Sequence, residues 1–184
     1  MTEGLFVYRV DAENRIVSVN SDWLSFAQAN GAPHLTTAAV VGQPLFRFVT
    51  GMETQHLTQL IIDRARQTRR TIAIPFRCDS PSVRRFMELV ISSSTNDQVE
   101  FAGRTIREER RKGVPLFDAS VIRTNDNLIV CSWCKRINLS GNWLEVELAV
   151  SQMELFNLTR LPRLTHGICA DCAKQVRRDI DDAR

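Results

Sequence analysis

The first thirty residues change from an alternating to a helical pattern of apolar positions. "LFVYRV" and "RIVSVN" alternate apolar and polar residues around the polar turn "AEN". This pattern predicts a β-hairpin. The following "SDWLSFAQAN" has apolar residues at helical spacing, which predicts a helix capped by Ser21 and ended at Asn30-Gly31.

The next eighty residues predict a long helix followed by three strands. "METQHLTQLIIDRARQ" carries its apolar residues on one helical face. The strand-like runs "TIAIPFRC", "RRFMELVISS" and "QVEFAGRTIREE" follow, separated by the turn compositions "DSPS" and "STND". The order of elements is therefore strand, strand, short helices, long helix and a three-stranded meander.

This order resembles the PAS domain, a sensory fold with a five-stranded antiparallel sheet and a helical flank. "DAENRIVSVNSDWLSFAQAN" resembles the PAS opening, and "VVGQPLFRFV" resembles the short glycine-bearing segment before the long helix. The resemblance covers residues 4–111 and implies an α+β fold whose core binds a small molecule or a partner. It also implies a sheet that serves as a homodimer surface. Another α+β domain with a meander is the alternative.

The remainder of the chain predicts a linker and a second unit. Gly113, Pro115 and Asn125-Asp126 break regular structure, which predicts a linker over residues 112–127. Residues 128–178 then form a C-terminal module: a strand in "LIVCSWCKRI", a helix in "GNWLEVELAVSQMELFNL" and a terminal helix in "CADCAKQVRRDIDDAR". We expect residues 4–111 to fold independently of this module.

Composition narrows the classes of protein. Hydrophobic residues make up 43% and charged residues 24% of the chain, which is typical of a soluble globular protein. No apolar run approaches the ~18 residues of a membrane helix, and "MTEGLFVYRV" has no secretory pattern. We therefore expect a cytoplasmic protein with reduced thiols and no membrane partner. The net charge of +3, with acids mixed among the arginines, argues against a nucleic-acid partner.

Four of the cysteines form two Cys-x-x-Cys pairs. These are Cys131 with Cys134 and Cys169 with Cys172, and residues 135–168 separate the pairs. A Cys-x-x-Cys knuckle turns both sulfurs toward one ion, so two pairs predict a tetrahedral four-thiolate site, most commonly for zinc. A helix start at the second pair would favour thiolates. Four sulfurs leave no open position on the metal, which argues against catalysis there.

Three other fates of these thiols stay open at this point. Four cysteines can hold an iron–sulfur cluster. They can form a thiol–disulfide switch with release of zinc, or remain reduced and unligated.

The same region resembles a specific motif. "CSWCKRI", "GNW", "EVELAV" and "THGICADC" match, over residues 128–176, a stretch that follows PAS or receiver domains in bacterial signalling proteins. The sequence departs from it at Ala170, where proline is frequent. The resemblance implies a signalling context with a protein partner, but no reaction.

Five other side chains have alternative interpretations. His166 is expected beside the metal as a hydrogen-bonding neighbour of a ligand, with direct ligation as the alternative. Trp133 and Trp143 are expected to cover the metal site, with stacking on bases as the alternative. His56 is expected in solvent rather than on a haem, and Cys78 as a small hydrophobic side chain.

The ligand of the PAS-like core cannot be named from the sequence, but its pocket has apolar candidates. These candidates are Trp23, Phe26, Phe46, Leu60 and Phe76. The sequence contains no P-loop, kinase motif or Ser/His/Asp pattern. It therefore predicts a non-catalytic sensor or adaptor, with a thiol redox sensor and a zinc-ribbon nucleic-acid regulator as alternatives.

Overall fold

The structure is a computed structural model that describes residues 4–94, 96–118 and 120–182. Thr95, in the turn predicted at "STND", and Ala119, in the predicted linker, lie outside the described residues.

The predicted hairpin is present at the start of the chain. β1 (Leu5–Val10) and β2 (Ile16–Val19) pair antiparallel. The Asp11 carboxylate accepts hydrogen bonds from the backbone N–H groups of Glu13 and Arg15, which closes the polar turn.

The first helix begins one residue earlier than the sequence pattern indicated. α1 (Ser21–Ala29) is capped by Asn20, whose side-chain oxygen accepts from the backbone N–H of Trp23 at 2.9 Å. The prediction of Ser21 as the cap is therefore wrong. Asn20 takes this position because its amide group also bonds the β1 backbone at Leu5 and Val7, which ties the helix start to the sheet.

A five-stranded antiparallel sheet and three helices form the first part of the structure. α2 (Thr37–Val40) and α3 (Met52–Thr68) precede β3 (Ile72–Arg77), β4 (Val83–Ser93) and β5 (Val99–Arg110). The strand order is β2-β1-β5-β4-β3, with every pair antiparallel. The α+β fold class with a PAS-like sheet and a helical flank is confirmed. We call the elements β1 to β5 the PAS-like core.

A second sheet organises the rest of the chain. It contains β6 (Ile122–Cys131), β7 (Ile137–Leu139), β8 (Asn142–Leu144) and β9 (Arg160–Gly167), in the order β8-β7-β6-β9. β6 and β9 run parallel, whereas the other pairs are antiparallel. We call the elements from β6 onward the C-terminal module.

The helix predicted over "GNWLEVELAVSQMELFNL" is shorter than expected. β8 occupies its first residues, and α4 (Val146–Gln152) occupies its middle. Glu154 adopts a left-handed conformation with φ 53°, which ends the helical path before a short 3-10 turn at Leu155–Asn157. The predicted terminal helix is confirmed as α5 (Ala170–Asp182).

The C-terminal module has its own apolar cluster, and part of that cluster comes from the predicted linker. Val114 and Leu116 are fully buried in it beside Leu128, Val146 and Leu161. β6 also begins within the predicted linker. The division into residues 4–111, 112–127 and 128–178 stays a prediction.

α5 leaves the C-terminal module and packs on the PAS-like core. It contacts α3 and β3, and its Val176 and Ile180 belong to the same buried cluster as Ile61 and Ile74. Their spacing of four residues puts both side chains on one helical face. Within the part of the chain that the structure describes, every helix is too short or too polar to cross a membrane.

Candidate metal centre and adjoining cavity

The parallel pair of strands brings the two Cys-x-x-Cys motifs together. Cys131 is the last residue of β6 and lies opposite Gly167, the last residue of β9. Parallel strands end at the same edge of a sheet, so the motifs that follow them meet there. The sulfur atoms of Cys131, Cys134, Cys169 and Cys172 all lie within 4.8 Å of one another.

The first cysteine pair sits on a tight backbone turn, the first knuckle (Cys131–Arg136). The backbone N–H of Lys135 donates to the Cys131 carbonyl at 3.0 Å, and the Cys131 N–H donates to the Arg136 carbonyl at 2.8 Å. Lys135 adopts φ 63°, which reverses the chain at this point. Both sulfurs therefore face the same side.

The second cysteine pair begins α5. The Cys169 sulfur accepts a hydrogen bond from the backbone N–H of Cys172 at 3.4 Å, in the manner of a helix cap. The Cys169 N–H in turn donates to the Cys131 sulfur at 3.4 Å. These bonds and the helix N-terminus favour negative sulfur atoms.

The distances between sulfurs fit a single tetrahedral ion. The sulfurs of Cys134 and Cys169 are 3.7 Å apart. Zinc–thiolate bonds of about 2.3 Å give a tetrahedron with edges of about 3.8 Å. A disulfide requires about 2.05 Å. An iron–sulfur cluster binds its cysteines through different iron atoms, which spreads the sulfurs further apart.

Without a bound cation, the cysteine thiols compete for protons. Hydrogen bonds from Cys134 and Cys172 lower the pKa of Cys131. Donating to Cys131 raises the pKa of Cys134 to about 12, and donating to Cys131 and Cys134 also raises the pKa of Cys172. A divalent cation removes this competition because it allows all four groups to be thiolates.

Close backbone contacts join the first knuckle and β9 to the PAS-like core. The Arg77 N–H donates to the Trp133 carbonyl at 2.7 Å, and the hydroxyls of Thr54 and Ser132 are hydrogen-bonded. At Gly51, which has φ 91°, an added Cβ would lie 2.6 Å from the carbonyl oxygen of His166. The N-terminus of α3 therefore touches β9 directly.

A partly buried layer of charges forms a second connection. The Asp79 carboxylate has no exposed side-chain surface and contacts both Arg77 and Arg111. Arg77 also forms an ion pair with Glu145 at 2.8 Å, and Arg111 forms one with Glu147 at 3.0 Å. The layer thus runs from the PAS-like core to α4 and its N-terminal flank. The sequence does not predict this layer, because charged residues far apart along the chain give no signal of their pairing.

A cavity of about 370 Å³ lies between the PAS-like core and the first knuckle. We call it the interface cavity. The sheet supplies aromatic and aliphatic side chains, α3 supplies one helical face, and the C-terminal module supplies a polar wall. Its lining includes Tyr8, Phe76, Leu89 and Phe101 from the sheet, Thr54, Thr58 and Ile61 from α3, and Ser132, Trp133, Lys135 and His166 from the module.

The predicted pocket residues lie at different places. Phe76 lines the interface cavity. Trp23 and Phe46 pack half-buried against the core cluster. Phe26 packs on an aromatic ring of β1, and Leu60 is exposed. The spacing of Thr54, Thr58 and Ile61 on α3 was the signal that could have identified the cavity-facing side of this helix.

The two tryptophans, Cys78 and His56 lie in different surroundings. Trp133 packs against the PAS-like core and lines the cavity, whereas Trp143 lies near Gly167. Cys78 is half-buried in the cavity wall, outside the four-cysteine group. His56 is exposed on α3.

His166 faces the interface cavity from β9. Burial lowers the pKa of its imidazole, and the nearby positive charge of Lys135 lowers it further. Among the hydrogen bonds of residues 4–94, 96–118 and 120–182, none joins this ring to a cysteine sulfur. Its role beside the metal stays a prediction.

Comparison with solved structures gives weak similarities. The Aer2 receptor from Vibrio cholerae, described as a dual PAS–haem oxygen sensor, is 14% identical with a TM-score of 0.40, over 57% of this chain and 96% of that chain. A sensory box sensor histidine kinase from Vibrio cholerae is 12% identical with a TM-score of 0.40, over 56% and 82%. A domain of an HTR-like protein from Haloarcula marismortui is 16% identical with a TM-score of 0.36, over 56% and 98%.

No protein-family model matches the sequence, and comparison with curated proteins gives no match. The strand order and the placement of the helices define the fold of this chain.

Proposed function

We propose that this chain is a non-catalytic sensor or adaptor of bacterial signalling whose C-terminal module is held on a PAS-like core by structural zinc. The observation that carries the proposal is the grouping of four cysteine sulfurs within 4.8 Å. Four thiolates in a tetrahedron are a usual donor set of structural zinc, and they fill its coordination shell.

Zinc at this site would stabilise more than the two knuckles. Structural zinc in small modules contributes about 10–16 kcal/mol of apparent binding free energy at neutral pH, which is comparable with the stability of a whole domain. α5 starts at the second cysteine pair and packs its apolar face on α3 and β3. The ion would therefore hold α5 and the first knuckle in place against the PAS-like core.

The sensing role is supported by the interface cavity. Its wall combines side chains of the PAS-like core with Ser132 and Trp133 of the first knuckle. A molecule bound there would contact both parts of the protein, so its presence would change how firmly they associate. The C-terminal module would pass this change to a protein partner, and the five-stranded sheet would supply a homodimer surface in the cytoplasm.

The proposal includes the absence of enzymatic activity, which follows from the absence of nucleotide-binding and nucleophile motifs in the sequence. We expect no transfer of radiolabelled phosphate from ATP to the purified chain. Stoichiometric labelling would refute this part of the proposal.

A redox sensor is the second candidate function, and one observation favours it. Cys134 and Cys172 are half-buried, whereas Cys131 and Cys169 are buried. Oxidants could therefore reach one sulfur of each pair. Release of zinc with disulfide formation under mild peroxide would favour this candidate over a purely structural site. Nucleic-acid binding gains no such support, since the exposed Arg9, Arg69 and Arg104 are paired with carboxylates.

Metal content per chain tests the main proposal. We expect one zinc in the wild-type protein, and its loss in Cys131→Ser and Cys172→Ser together with faster proteolysis of the C-terminal module. Cys78→Ser is the matched control and should retain the ion, because Cys78 lies outside the group. A full zinc equivalent and a protected module in Cys172→Ser would overturn the four-thiolate site, and iron in place of zinc would overturn the choice of metal.

A further inference from the structure

Part of the lining of the interface cavity is apolar. Phe76 and Phe101 from the sheet and Ile61 from α3 contribute to it. A pocket of this kind gains affinity mainly from the apolar part of a ligand, while a few polar groups fix the orientation of that ligand. The chemistry of the ligand is therefore set by the polar wall.

Most polar groups of this wall are already bonded within the protein. The hydroxyls of Thr54 and Ser132 bond each other, and the Thr58 hydroxyl donates to the Thr54 carbonyl. Arg77 is paired with Asp79 and Glu145. These groups have little capacity left to recognise a ligand.

Lys135 is the cationic side chain of this wall that keeps free N–H donors. Its ammonium group donates to the Ser132 carbonyl at 2.8 Å, and among the described residues it takes part in no ion pair. An ammonium group has three N–H donors, so two of them remain available. His166, on the same wall, adds an imidazole N–H.

Among the described residues, the cavity presents Lys135 as its one Lys or Arg side chain without a carboxylate partner. Its lining contains Lys135 and the paired Arg77 but neither aspartate nor glutamate. A ligand with a positive charge would meet Lys135 without a compensating carboxylate, whereas a carboxylate would make a charge-assisted hydrogen bond to it.

We propose that the interface cavity binds a small carboxylic acid with an apolar body, its carboxylate held by Lys135 and His166 and its apolar part between Phe76, Phe101 and Ile61. This inference rests on the proposed sensing function and specifies the ligand class of that site. Because Lys135 directly follows Cys134, the carboxylate would contact the first knuckle itself. Ligand binding and the order of the four-cysteine site would then favour each other.

The test uses the 184-residue chain as purified, with its metal content measured, and a series of probes. The probes are straight-chain and phenyl-substituted carboxylic acids of about three to ten carbons, each paired with its primary amide. Calorimetric titration should show at least one acid that binds about tenfold or more tightly than its amide, the ratio expected for one charge-assisted bond.

Lys135 variants assign this preference to one side chain. Lys135→Met keeps most of the length of the side chain but removes the charge. It should abolish the acid preference while the affinity for the amide stays the same. Lys135→Arg should retain much of the preference. Lys174→Met is the matched control, since Lys174 also lies two residues or fewer from a site cysteine but is exposed and does not line the cavity. An unchanged thermal unfolding midpoint confirms that each variant is folded.

The outcomes separate this inference from the proposed function. Equal affinity for acids and amides, an acid preference that survives in Lys135→Met, or no binding of any acid overturns the carboxylate assignment. A protein that prefers acids through Lys135 but contains no metal supports the ligand class and overturns the zinc proposal instead.

Discussion

The hydroxyl groups of Thr54 and Ser132 lie 2.8 Å apart, so that one hydrogen bond links α3 of the PAS-like core to the first knuckle. Thr54 is 7% exposed, and Ser132 stands next to Cys131. A change at the four-cysteine site would therefore reach the core through a single residue, Ser132.

The coupling between these two hydroxyls can be measured with a double-mutant cycle. Thr54→Val and Ser132→Ala each remove one partner, and each should leave the other hydroxyl less well satisfied. We expect a coupling free energy of about 1 kcal/mol in urea unfolding. Thr71→Val combined with Ser132→Ala is the control and should be additive, because Thr71 is exposed and has no hydrogen bond to Ser132 among those of the described residues. Additivity in the Thr54 cycle would show that the bond contributes nothing.

Gly51 should be intolerant of a side chain. Both Gly51 and Gly42 adopt positive φ, 91° and 81°, but only at Gly51 would an added Cβ meet backbone, at 2.6 Å from the His166 carbonyl oxygen. Gly42→Ala should cost about 1 kcal/mol through φ alone. Gly51→Ala should cost about 1–3 kcal/mol more, because α3 and β9 must separate. Equal losses in thermal unfolding would contradict the close contact.

Asp79 should be the most sensitive member of the charge layer. Its carboxylate has no exposed surface and serves both Arg77 and Arg111. Asp79→Asn removes the carboxylate that both guanidinium groups share and leaves each of them with one glutamate, so it should cost about 1.5–3 kcal/mol of unfolding free energy. Asp97→Asn breaks an exposed pair with Arg69 and should cost about 1 kcal/mol or less. A small effect at Asp79 would mean that water reaches this layer.

Acid should weaken the contact between the charge layer and α4. Burial opposes ionisation of Glu147, but its backbone hydrogen bond and the charges of Arg111 and Arg84 outweigh burial and lower its pKa. A carboxylate whose pKa is lowered in the folded state stabilises the fold at pH values above its unfolded-state pKa. This stability is lost below about pH 5, as the pH falls through the folded-state pKa.

Glu147→Gln tests the pH effect directly. The variant should be less stable than the wild type near pH 7, and the difference should shrink as the pH falls below about 5. Urea unfolding at several pH values measures this difference, and a difference independent of pH would assign the effect of Glu147 to packing rather than to charge.

Much of the PAS-like core could be predicted because its signals are local. The β1–β2 hairpin and α3 follow from apolar periods within single segments. The start of α1 could not be placed to the residue, since Asn20 and Ser21 are both good caps. The choice between them depends on the bonds that Asn20 makes to β1.

The strand β9 could not be predicted from the pattern of apolar and polar residues. "RLPRLTHG" contains a proline and several polar residues, so it has no clear alternation. It is extended because it pairs with β6, a contact between distant segments. The grouping of the four cysteines was predictable from their spacing. The positions of Lys135 and His166 in the cavity wall could not be predicted, because they depend on the same pairing of distant segments.

Because β6 and β9 pair in parallel, the length of the chain between the two cysteine pairs can vary without moving the cysteines. The two strands, and not the intervening residues 135–159, deliver the cysteines to one edge of the sheet. The β7–β8 turn at Ser140–Gly141 is exposed, and an added Cβ at Gly141 would meet nothing within 4 Å. This turn is therefore the natural place to graft a fluorescent label or a whole inserted domain while the thiol geometry stays intact.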